Sequence, residues 1–105
     1  MSATVLGSRD TANDGVSYDV SASDVTLAIE FYRGDPEARE RPWRVRVDFV
    51  REERALSGAG RNRRAAFLAA SSRQDVLVRG GIPLPAVTWS DVERALEEAG
   101  AFQSH

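Results

Sequence analysis

The sequence predicts an α+β fold in one globular domain, 1–105: a small, mostly antiparallel sheet covered on one face by two helices. Three observations predict it. Two stretches, Val25–Tyr32 and Trp43–Val50, alternate apolar and polar residues with a period of two. The loop between them is too short for a crossover helix, so they pair as an antiparallel hairpin, 24–32 with 43–50. Two helical segments follow, 62–72 and 89–99, and supply the cover that an isolated hairpin needs in water.

Each element has its own signal. Residues 7–15 are polar and turn-rich, so residues 1–15 are expected to form a loop or mobile arm. Val16–Val20 is a candidate short strand, and 21–24 reads as a turn. In the first long strand Val25, Leu27, Ile29 and Phe31 share one face, and Thr26, Ala28, Glu30 and Tyr32 the other. Arg33–Pro42 carries Gly34, Pro36 and Pro42 and is a loop, with Arg33-Gly34-Asp35 as a turn inside it. In the second strand Trp43, Val45, Val47 and Phe49 face inward, which sends Arg44, Arg46 and Asp48 outward.

Arg51–Gly60 is open between a charged extension of that strand and a helical turn ended by Ser57-Gly58-Ala59-Gly60. Asn62–Ser72 is alanine-rich and reads as a helix. Asp75–Arg79 reads as a short third strand, stopped by Gly80-Gly81. Neither proline of Ile82-Pro83-Leu84-Pro85 can donate a backbone hydrogen bond, so that segment is a stiff connector. Thr88 is placed as the N-cap of the last helix, with Asp91 at N3 and a Val87–Val92 staple; Ser90 with Glu93 is an alternative capping box. Trp89, Val92, Leu96 and Ala99 share one face, and Gly100 suits the residue after the C-cap. The expected core is the inward hairpin face with Phe67, Leu68, Val76, Val78, Trp89, Val92 and Leu96.

Composition narrows the chemistry. There is no cysteine, which excludes disulfides, thiolate metal sites and a cysteine nucleophile, and fits a cytoplasmic setting. No apolar run approaches a membrane span and no signal peptide is evident, so no membrane partner is expected. The single histidine, His105, is the last residue, which leaves no histidine triad or histidine metal cluster. No metal and no cofactor are expected. Asp10, Asp14, Asp19 and Asp24 do not match the spacing of an EF-hand loop. A carboxylate-dependent enzyme is a remote alternative, and the chain is read as non-catalytic.

The charge layout points to binding. Basic residues number fourteen, all arginine. Absence of lysine fits a GC-rich coding sequence, but codon usage does not explain the clustering: eleven of the arginines lie between Arg39 and Arg79, with acidic stretches on either side. Arginine presents a planar fork of donors suited to carboxylate and phosphate. The expected contact residues are Tyr32, Arg44 and Arg46 on the outward sheet face, with Arg61, Arg63 and Arg64 at a helix start. They suggest a small binding or assembly protein: an adaptor, inhibitor or structural subunit of prokaryotic or viral origin. Its partner would be another protein or a second copy of the chain. The alternative is a nucleic acid held through its phosphates by the same arginines, against which the pI near 5.4 counts.

Overall fold

The computed structural model describes residues 2–103. Five strands, β1 (Ala3–Asp10), β2 (Val16–Ala22), β3 (Val25–Arg33), β4 (Trp43–Phe49) and β5 (Arg54–Gly60), precede two helices, α1 (Arg63–Arg79) and α2 (Trp89–Glu98). The strands form one antiparallel meander in sequence order. Both helices pack on the same face, α1 over β5 and β4 and α2 over β1 and β2. This is the α+β arrangement the alternation predicts, with a larger sheet.

The β3–β4 hairpin follows the predicted phase. Leu27, Ile29 and Phe31 stand opposite Phe49, Val47 and Val45 on the buried face. Glu30 stands opposite Arg46 and Tyr32 opposite Arg44 on the other. The connecting loop is closed by Gly34 N–H donating to the Pro42 carbonyl at 2.8 Å. Tight turns join the remaining strands, with Asp14, Ser23 and Glu53 taking positive φ at their corners.

Four sequence expectations need correction. The segment expected as a loop or mobile arm contains β1, which pairs with β2 along its length apart from a bulge between Val5 and Gly7. Polar residues and Gly7 hide it because β1 is an edge strand, mostly exposed. Arg51–Gly60 resolves into a turn and β5. The predicted strand 75–79 is the last turn of α1, so the first helix runs well past residue 72. A capping motif decides that end: Gly81 adopts φ +94°, its N–H donates to the Val78 carbonyl, and the Ile82 N–H reaches the Leu77 carbonyl. Leu77 is then the inward residue of its run, whereas Val76 and Val78 are 61% and 46% exposed and leave the expected core, as does Leu68 at 46%.

The helix starts follow simple chemistry. The Asn62 side-chain oxygen accepts from the Ala65 N–H at 2.8 Å and caps α1. Thr88 is the N-cap of α2, but its side chain makes no cap bond; its carbonyl accepts from the Asp91 and Val92 N–H groups. The proline connector is tied down by Gln74, which accepts from the Trp89 indole N–H at 2.7 Å and donates to the Pro85 carbonyl at 2.6 Å.

The core lies between the sheet and the helices. Phe49, Phe67, Leu27, Ile29, Leu56 and Leu96 are fully buried, each contributing roughly 1.5–3 kcal/mol over exposure. Trp89 packs edge-on against Phe49 and Phe67, and Phe102 against Phe31. The α1–β5 contact is the tightest. A Cβ on Gly58 would stand 2.4 Å from the Ala70 nitrogen and 2.5 Å from the Ala66 oxygen, both backbone atoms. Gly58→Ala is therefore expected to lower stability by roughly 1–3 kcal/mol. Urea denaturation measures this, and a loss within error of zero would mean that α1 does not sit this close to β5.

Candidate binding surface

The helices cover one sheet face and leave the other open. On the open face β2 carries Ser17, Asp19 and Ser21, β3 carries Thr26, Ala28, Glu30 and Tyr32, β4 carries Arg44, Arg46 and Asp48, and β5 carries Ala55, Ser57 and Ala59, as the registers require. Small and polar side chains dominate, so nothing on this face demands burial. The arginines stand out from it.

They differ in their neighbours. Arg9 on β1 is paired with Asp19 at 3.2 Å. Arg46 is paired through Nε with the Asp48 carboxylate at 3.0 Å. The Asp48 hydrogen bond and charge raise the Arg46 pKa, with a smaller contribution from Glu30. Arg44 has no ion-pair partner among the described residues. Its nearest register partners are Tyr32 on β3 and Ala59 on β5, neither of them acidic. Its stem crosses Gly34, where a Cβ would lie 2.8 Å from Arg44 Cγ, so Gly34 forms the seat of this side chain. Arg44 also lines an open depression of about 600 Å³ between the 34–42 loop and the sheet, with Glu37, Arg39, Glu40, Arg41 and Ala59.

Tyr32, Arg44 and Arg46 thus lie together, as the alternation predicts. Arg61, Arg63 and Arg64 do not join them as one patch. Arg61 is exposed in the turn after β5. Arg63 turns to the helix side, lies 4.5 Å from the centroid of the Trp43 ring and donates to the Ala101 and Gln103 carbonyls. Arg33 lies against the same ring at 5.0 Å. Arg64 pairs with Glu93 and, at 3.2 Å, with Glu97 of α2, while its guanidinium lies 4.5 Å from the Phe102 centroid. Arg63 and Arg64 therefore clamp α2 and the segment after it onto the start of α1. Phe102, the aromatic centre of that clamp, has no periodic signal in the sequence; a lone aromatic just after the Gly100 cap is the only hint.

Arg39 and Arg41 are the residues sequence reasoning passed over. They sit in a proline-containing loop without periodicity, and only the fold of that loop brings them beside Arg44. Among the described residues no group of three His, Cys, Asp or Glu side chains converges as metal ligands would; His105 lies outside those residues. No described helix is long and apolar enough to cross a membrane. Comparison of the chain with protein-family models, curated proteins and solved structures finds no match.

The Arg64 clamp carries a stability signature. Hydrogen bonding to Glu93, then Glu97, raises the Arg64 pKa. A raised basic pKa stabilises the fold fully below the ordinary arginine range and is lost only as pH climbs beyond it. Arg64→Met is expected to lower stability by about 0.5–1 kcal/mol, the scale of a part-exposed pair. The difference from wild type should stay constant from about pH 7 to about pH 10 and shrink in roughly 1 M salt. Chemical denaturation at those conditions measures it, and a difference that vanishes by pH 10 would contradict the clamp.

Proposed function

We propose that this protein is a non-catalytic binding or assembly protein that docks an acidic surface of a protein partner on its open sheet face. The contact centres on Arg44, with Arg39, Arg41 and Tyr32 around it. One observation carries this reading: Arg44 is an exposed sheet arginine without a carboxylate partner among the described residues, and it borders an open depression. Arg9 and Arg46, by contrast, are held by Asp19 and Asp48. An unpaired guanidinium keeps its full donor capacity for a carboxylate brought by a partner.

The mixed lining favours protein over nucleic acid. Glu37 and Glu40 share the depression with the arginines. Two carboxylates there repel a phosphate chain, whereas a protein surface of both signs can satisfy all five groups. Tyr32, beside Arg44, adds an amphipathic ring of the kind that anchors protein interfaces.

Fluorescence anisotropy with a labelled peptide rich in Glu and Asp with interspersed Lys and, separately, a random DNA duplex at low salt tests the proposal. The peptide should bind, and Arg44→Glu should weaken it about tenfold or more with the circular dichroism spectrum unchanged. Tight duplex binding that falls log-linearly with salt would instead assign the arginines to phosphates. Equal peptide affinity in wild type and R44E would remove Arg44 from the contact.

A further inference from the structure

The sheet has two edges, and they are protected unequally. The β1 edge is broken by the bulge at Leu6 and carries Arg9 and Asp10, devices that discourage further pairing. The β5 edge has none of them. Its seven residues, Arg-Ala-Leu-Ser-Gly-Ala-Gly, pair with β4 without a register shift and contain no proline and no charge after Arg54. A straight, uncharged edge is a template for another strand.

The geometry points to a second copy of this chain as that strand: β5 pairs antiparallel with β5 of a partner about a two-fold axis at Ser57, making one continuous sheet. Three features select this register. On the open face Ser57 meets its own copy and Ala55 meets Ala59, all small enough for close pairing. Beyond the strand ends, Arg61 of each copy comes opposite the Glu52–Glu53 end of the other. All three residues are exposed, and none has an ion-pair partner among the described residues. Moving the axis to Leu56 would instead set Arg61 against Arg51.

The third feature lies on α1. Ala66 and Ala70 face the sheet, and Phe67 and Gln74 face Trp89 of α2. The stripe Ala65, Ala69, Arg73 and Val76 is therefore on the side of α1 away from α2, above the β5 edge, with Arg73 exposed. Helices above adjoining strands approach each other; Ala65 and Ala69 leave room for this, and the flexible, exposed Arg73 can swing to solvent. The approach also gives cover to Val76, the most exposed apolar residue of the helix at 61%. The dimer would place both Arg44 depressions on one extended face.

A charge swap tests the pairing independently of any ligand. Sedimentation or light scattering of the full chain should show a dimer of twice the 11.5 kDa chain mass, with Kd on the order of 10 µM or tighter. Arg61→Glu and Glu53→Arg should each weaken self-association roughly tenfold or more, because each homodimer acquires two like-charge contacts. An equimolar mixture of the two variants should recover the wild-type affinity, because the mixed dimer restores both opposite-charge contacts; misfolded variants would not do so. Strict monomer at about 1 mM wild type, a dimer insensitive to both changes, or a mixture that stays monomeric would each overturn the pairing.

Discussion

Gly58 and Gly60 allow α1 to lie directly on the backbone of β5, and the rest of the molecule is arranged around that contact. Side chains at either position would collide with backbone or Cβ atoms of residues 65–70. Ala66 and Ala70 keep the helix side equally low. A helix seated this close delivers Phe67 deep into the core, where it meets Trp89 of α2 and Phe102. Trp89 then reaches Phe49 on β4. The second helix is thereby fixed beside the first, over β1 and β2, and one sheet face is filled. A larger residue in β5 would lift α1 and loosen every aromatic contact beyond it, so the glycines act through packing and not through flexibility.

The arginines divide along the same line. Two of those at the start of α1 are consumed by the fold. Arg63 lies on Trp43 and binds the carbonyls that follow α2, and Arg64 holds Glu93 and Glu97 over Phe102. These part-buried contacts combine a cation on an aromatic face with charge-assisted hydrogen bonds. On the sheet side, Arg9 and Arg46 are neutralised by acids of the same sheet. The basic window of the sequence is thus partly spent on internal contacts, and three of the arginines left over, Arg39, Arg41 and Arg44, collect around the 34–42 loop.

Legibility in the sequence tracked how much each segment depends on distant partners. The β3–β4 hairpin was readable because alternation encodes a half-buried strand directly, and α2 because its apolar stripe and Gly100 lie within one segment. β5 was not, because Gly58 and Gly60 leave room for the helix that lies on them, Ser57 and Ala59 on the opposite face are small as well, and small residues carry no period of their own. Asp-Val-Leu-Val-Arg misled for the opposite reason. Its β-branched residues favour a strand locally, but the helix already running from Arg63 continues through them. Leu77 packs against the core, Asp75 pairs with Arg79 one turn on, and the Gly80-Gly81 cap closes the helix. For the binding surface, alternation put Tyr32, Arg44 and Arg46 on one face. It could not separate committed from uncommitted arginines, because commitment depends on contacts such as Arg64 with α2 that join residues far apart in the chain.

Arg44 is left unpaired by the lattice of the sheet itself. Each residue on a sheet face has four close neighbours: two along its strand and one on each adjacent strand. For Arg46 these include Asp48 along the strand and Glu30 across it. For Arg44 they are Pro42 and Arg46 along the chain, Tyr32 on β3 and Ala59 on β5. None is acidic, and one is a like charge whose effect Asp48 offsets. Only the 34–42 loop brings carboxylates near, and its Glu37 and Glu40 arrive with Arg39 and Arg41. Folding alone therefore supplies no compensating anion for this guanidinium, and the open face around it has no apolar surface to draw a helix over it. Its exposed charge follows from the sheet register, and so would persist in any state that keeps β3, β4 and β5 paired.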